Sequence, residues 1–177
     1  MSQDLTRRRA LAQLSAASLA GLAPWAMAQK ALSVGFIYVG PKDDFGYNQA
    51  HAEVSAVFAL YEDALVNNRI DVLDELFWPS EHTVRYGVAE NLHGIEAIRA
   101  FRQARPSTGL ARTLQHTVIT TYGRDFATAM TEFRREGGAK LGRQSQTWVR
   151  LHEGAQGWRV VAAHVSLMDL PAATPKA

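Results

Sequence analysis

The chain has 177 residues, 47% of them apolar and 20% charged, enough for one domain with a sizeable core and a short appendage. Its formal charge is only +2, three of its arginines sit together at Arg7–Arg9, and no Lys/Arg block interleaved with aromatics follows residue 30, so a basic nucleic-acid face is excluded. The absence of cysteine excludes disulfides, thiolate metal sites and a cysteine nucleophile.

The first 28 residues read as an address. A basic start, a mildly apolar middle and Ala26-Met27-Ala28 follow the order of a secretory signal. The arginines after Thr6 and the weak Ala/Ser/Gly-rich middle resemble a twin-arginine leader, although Ala10 stands where an aromatic is usual. The alternative is a basic N-terminal helix. Gln13, Ser15, Ser18 and Pro24 interrupt the apolar stretch, which argues against a membrane span.

Residues 29–52 have another character. The apolar run Leu32–Val39 is stopped by Gly40-Pro41, and a polar loop then leads into a helix start. This resembles the mature N-terminus of periplasmic binding proteins of the BMP family, which serve ABC importers. The rest of such a two-lobed protein has no room here, so no ligand binding is expected from Asp44, Phe45 or Asn48, and residues 1–50 are expected to be dispensable for the fold. A join is expected near His51–Glu53.

From residue 53 to 170 the pattern is that of one compact domain. Val54, Val57, Phe58, Tyr61 and Leu65 share one helix face, and Asn67-Asn68 ends the helix. Asp71, with Asp74 three residues on, suits the cap of a second helix that buries Leu73, Leu76 and Phe77 and closes at Pro79. "HTVRYG" is a short strand, and Gly94 precedes a third helix with Ile95, Ile98 and Phe101 inward, ending near Arg105-Pro106. Four long β-branched and aromatic strands follow, with hairpin turns at Gly123–Asp125 and Glu153–Gly157. Helices gathered on one face of an antiparallel sheet make an α+β domain with a pocket open at one end. Residues 171–177 form a tail.

The six histidines show no H-x-x-x-H spacing, and no phosphate loop or G-x-S-x-G is present, so no metal or cofactor is expected. Tyr61 lies on the apolar helix face, where its hydroxyl is either bonded to backbone or turned to a site. Arg85 stands mid-strand, opposite in face to Val84 and Tyr86; it either points to solvent or holds an anion with its fork. Gln144, Gln146 and Trp148 share a strand face that suits either a polar small-molecule pocket or an oligomer interface. On the last strand Val160, Ala162 and His164 share a face, where a single histidine is more often structural.

The ordered motifs "ALYEDALVNN", "LDELFW", "HTVRYGVAENLHGIEAIRAFRQARPS", "LARTLQHTVITTYGRDFATAMTEFRR" and "GRQSQTWVRLHEGAQGWRVVAAHVSLM" together resemble the AtzH-like (oxalurate-catabolism, HpxZ-type) family. The resemblance implies a cystatin-like, NTF2/SnoaL-type fold. It also implies a cofactor-free decarboxylating amidohydrolase acting on a small anionic ureido acid, 1,3-dicarboxyurea or an oxalurate-pathway compound. It places the catalytic pair on Tyr61 and Arg85, beside which Arg105, Gln146, Trp148 and His164 are substrate-binding candidates. Such proteins begin near the first helix without a leader, so the leader implies periplasmic export and the family a cytoplasmic location. The rival reading is a carboxylate-binding or association domain without turnover, since this fold hosts both. A homodimer is expected because apolar strand faces would otherwise stay uncovered.

Overall fold

The apolar spacing from Val54 to Leu65 becomes one face of a long helix in the computed structural model, which describes residues 47–152 and 157–170. The leader, residues 29–46, the 153–156 part of the last hairpin turn and the 171–177 tail lie outside the described residues. Helix α1 is Tyr47–Val66, followed by α2 (Ile70–Glu75), β1 (Val84–Tyr86), β2 (Asn91–His93) and α3 (Ile95–Ala104). Four long strands complete the chain: β3 (Arg112–Tyr122), β4 (Phe126–Arg135), β5 (Lys140–Arg150) and β6 (Trp158–Asp169). They form one open sheet of order β2-β1-β6-β5-β4-β3, antiparallel except where β1 runs parallel to β6. This is the α+β arrangement expected from the element order, and it fits the cystatin-like, NTF2-like fold that the family resemblance implies.

Helix α1 lies on the inner face of the sheet, against β3, β4 and β6. Its buried face, Ala50, Val54, Val57, Phe58, Tyr61 and Ala64, meets Ile119, Ala127, Ala129, Trp148, Trp158, Val160 and Ala163. The two tryptophans and Phe77 are almost wholly removed from water; each such side chain contributes about 1.5–3 kcal/mol or more through its apolar area.

Helix α2 starts differently from the expected cap. Asp71 falls inside its first turn, Arg69 precedes it without a side-chain cap, and Asp74 turns to α3, where Arg102 donates to it at 2.5 Å. Strand β2 was not expected: three residues that double back antiparallel on β1, with Gly87 N–H donating to the Glu90 carbonyl at 2.7 Å.

Strand β6 also departs from simple alternation. The register with β5 shifts between Thr147 and Trp148, leaving Val161 as an extra residue. Val160 and Ala163 therefore face the core, whereas Ala162 and His164 turn away from it. The expected shared face of Val160, Ala162 and His164 is split by this bulge.

Helix α1 runs unbroken through His51–Glu53. Ala50 is fully buried, and His51 Nε2 donates to the Ile119 carbonyl at 3.1 Å. Glu53 accepts from Trp158 Nε1 at 3.1 Å and pairs with Arg150 at 2.8 Å. The core thus draws on residues just ahead of the expected join. A chain beginning at Tyr47 should melt within a few degrees of the full chain. One beginning at Ala52 loses a turn of α1, the Ala50 contacts and the His51 bond, of order 2 kcal/mol together. Its thermal midpoint should fall by several degrees; equal midpoints for the two truncations would show that the first turn of α1 adds nothing.

Candidate functional site

One end of the sheet, together with α1 and α3, lines a small open cleft. Tyr61 and Leu65 come from α1, Leu73 from α2, Arg85 from β1, and Phe101 and Arg102 from α3, with Arg105 just after it. Leu110, Arg112, Arg135, Gln144 and Val165 close the remaining side. Five arginines around one small cleft would repel one another unless each found a carboxylate.

Three of them do. Arg112 donates three hydrogen bonds to Glu62, at 2.6–3.0 Å, and one to Gln144 Oε1 at 3.0 Å. Gln144 Nε2 donates to Glu62 at 3.0 Å, so both ends of that amide are engaged. Arg102 pairs with Asp74 and lies 4.2 Å from the Phe77 ring centre. Arg85 donates to Glu90 at 2.5 Å and lies 5.0 Å from the Phe101 ring centre. The remaining two differ. Among the described residues Arg105 has only the neutral Asn68 Oδ1, at 3.2 Å, its Nε is buried without a partner, and Arg135, at the exposed rim, has no carboxylate.

Burial lowers the pKa of both Arg102 and Arg105. The largest opposing influence on Arg102 is its hydrogen bond to Asp74, whereas on Arg105 it is Tyr61, with neighbouring arginines lowering it further. Two guanidinium charges thus face the cleft uncompensated, which suits an anionic ligand.

The Tyr61 ring is held by packing. It lies tilted on Phe77 at 6.3 Å and edge-to-face with Trp148 at 6.4 Å between centroids. Its hydroxyl has no hydrogen bond among the described residues, and the residue lines the cleft.

The six residues singled out in the sequence are thus distributed as follows. Tyr61, Arg85 and Arg105 meet at the cleft. Gln146 and Trp148 lie in the core outside its lining, where Trp148 Nε1 donates to Gln146 Oε1 at 3.2 Å and Gln146 Nε2 is buried without a partner among the described residues. His164 is on the opposite, exposed face of the sheet, edge-to-face with Tyr86 at 6.2 Å.

Sequence reasoning passed over Glu62, Arg102, Arg112, Arg135 and Glu90, and it noted Gln144 without nominating it. The period-two pattern that groups Gln144 with Gln146 was available. The partners of Arg102 and Arg112 are 28 and 50 residues away in the chain, where no local pattern reveals them. Among the described residues no group of three or more His, Asp or Glu side chains is placed to hold a metal, and no helix is long and apolar enough to cross a membrane.

A model of the AtzH-like family matches residues 44–171, which contain every side chain of the cleft. The chain belongs to the AtzH-like family. This AtzH-like chain is 59% identical to a protein of unknown function of the DUF3225 family from Pectobacterium atrosepticum, with a TM-score of 0.66 over 73% of this chain and 100% of that one. It is 51% identical to a cystatin-like fold protein from Burkholderia xenovorans, with a TM-score of 0.66 over 70% and 95% of the two chains. An NTF2-like protein of unknown function from Pseudomonas putida, 17% identical, shares the fold with a TM-score of 0.55 over 72% and 97%. No curated protein matches the sequence.

The Glu62 network should be indispensable to folding. Glu62→Gln leaves the Arg112 guanidinium, 4% exposed, without its anion; breaking a buried pair from one side costs about 3–5 kcal/mol. The urea midpoint should fall accordingly, and an unchanged midpoint would mean that solvent compensates Arg112.

Proposed function

We propose that this AtzH-like protein is a small cofactor-free enzyme of ureido-acid or N-carboxyurea catabolism, a decarboxylating amidohydrolase on a substrate such as 1,3-dicarboxyurea or an oxalurate-pathway compound. The observation that carries this reading is one cleft holding a tyrosine hydroxyl with no hydrogen bond among the described residues, beside arginines in excess of the carboxylate partners found there. Family membership and the fold support it, since the motifs around Tyr61 and Arg85 are those on which the family resemblance rests.

In this mechanism Arg85 holds the carboxylate that stays on the substrate, through the guanidinium N–H groups that Glu90 leaves free, and Arg105 adds a second positive charge. Tyr61 donates its proton to the urea nitrogen whose N–CO₂ bond breaks. The bond's electron pair stays on that nitrogen, carbon dioxide departs, and the phenolate is reprotonated from water. Protonating the leaving nitrogen is what the step requires of a general acid. Arg102 and Arg105, which line the cleft with Tyr61, oppose the negative charge that develops on its oxygen.

A homodimer is part of the proposal. The outer sheet face exposes Val118, Tyr122, Phe126 and Met130, more than 40% accessible each, on the adjacent strands β3 and β4. A second copy covering them would remove an apolar patch that a monomer leaves in water. Sedimentation at micromolar concentration should show the dimer, and a persistent monomer would count against it.

For catalysis the decisive variants are conservative. Tyr61→Phe keeps the ring between Phe77 and Trp148, so stability should hardly change while kcat on 1,3-dicarboxyurea falls by about 10²-fold or more. Arg85→Lys keeps the charge but loses the planar fork, so both KM and kcat should worsen. Ligand-induced thermal stabilisation without turnover in the wild type would favour the carboxylate-binding reading instead.

A further inference from the structure

The turn between β1 and β2 carries a carboxylate for which the proposed chemistry has no role. Glu90 Oε1 accepts from Arg85 Nη1 at 2.5 Å, and its Oε2 accepts from the Ala89 amide at 3.2 Å. A Cβ placed on Gly87 would stand 2.1 Å from the Glu90 carboxyl carbon, so the carboxylate lies folded against bare backbone. The pair is largely withdrawn from water, with side-chain exposures of 16% for Arg85 and 22% for Glu90. Arg85 lines the cleft and Glu90 does not, so the carboxylate meets the guanidinium from the wall side. Phe101 packs against the same group.

A guanidinium has five N–H donors in a fixed fork, and a single contact through Nη1 leaves others available. A long arginine on a three-residue strand would otherwise sample many rotamers. We propose that Glu90 is the positioning residue for Arg85: held in the Gly87–Glu90 turn, it clamps one edge of the guanidinium so that another edge is presented to a ligand carboxylate in the cleft. The proposal rests on the reading that Arg85 holds such a carboxylate. It differs in sign from a purely electrostatic role. A carboxylate that merely cancelled the charge of Arg85 would weaken anion binding, and its removal would tighten it. A positioning carboxylate strengthens anion binding despite its charge, and its removal loosens it.

The full chain and its Glu90→Ala and Glu90→Gln variants decide between these roles. With ¹⁵N-labelled arginine, the Arg85 Nη signals, assigned by their absence in Arg85→Lys, should show restricted rotation in the wild type. They should average in Glu90→Ala. Calorimetric titration with malonate should show affinity reduced at least tenfold in Glu90→Ala and partly recovered in Glu90→Gln, whose amide oxygen still accepts the Arg85 bond, while both variants melt cooperatively. Should Glu90→Ala fail to fold, Glu90→Gln is read in the same way, with smaller changes. Tighter malonate binding in either variant, or unchanged Arg85 signals, would overturn the proposal. If malonate fails to bind the wild type, the spectra alone decide the role of Glu90, and the failure counts against the carboxylate-holding reading of Arg85.

Discussion

The carboxylate of Glu62 ties the first helix to the far strands of the sheet. It accepts from Arg112 at the start of β3 and from Gln144 on β5, so three elements distant in sequence converge on two oxygens. A buried ion pair is weak evidence for net stability, because apolar groups of the same volume often do as well. Its effect here is geometric: Glu62 follows Tyr61 directly, so anchoring one fixes the rotation of α1 that presents the other. Gly142 is part of the same arrangement. A Cβ at that position would fall within the Phe133 ring, the nearest atom at 2.1 Å, and Phe133 is the surface on which Arg112 stacks at 4.5 Å.

Unequal compensation of the cleft's arginines then gives the site its character. Arg85, Arg102 and Arg112 are each neutralised by a carboxylate belonging to the fold, whereas Arg105 leans on a neutral amide. A cleft of this kind carries self-repulsion that an anion would relieve, which would link ligand binding and fold stability in the same direction.

Much of this was legible from periodicity. The 3.6-residue spacing put Tyr61 on the buried face of α1, and the alternation of β1 turned Arg85 away from Val84 and Tyr86. What periodicity cannot supply is long-range pairing: Asp74 looked like a capping-box residue and serves Arg102 in another helix. It also fails at irregular backbone. The extra residue at Val161 sends His164 to the outer face and Val165 into the cleft, a reversal that alternation alone could not anticipate. The expected join near His51–Glu53 concerns sequence resemblance at either side, whereas helix continuity follows the local pattern of buried residues, so one helix can run through it from Tyr47 to Val66.

Two different means therefore orient the proposed catalytic pair. With the rotation of α1 set by Glu62, Tyr61 is aimed by packing: its ring lies against Phe77 and Trp148, and nothing within the described fold competes for its hydroxyl. Trp148 in turn is fixed by its bond to Gln146, which gives these two core residues an indirect bearing on the cleft they do not line. Arg85 is aimed by charge, through Glu90 at its edge, and by the Phe101 ring. A hydroxyl held by apolar walls keeps its donor and acceptor capacity intact for a ligand. A guanidinium can share its fork between the fold and a ligand because it has donors to spare. The chemical types suit these two means: a proton donor for nitrogen must be unengaged, while an anchor for a carboxylate need only be still.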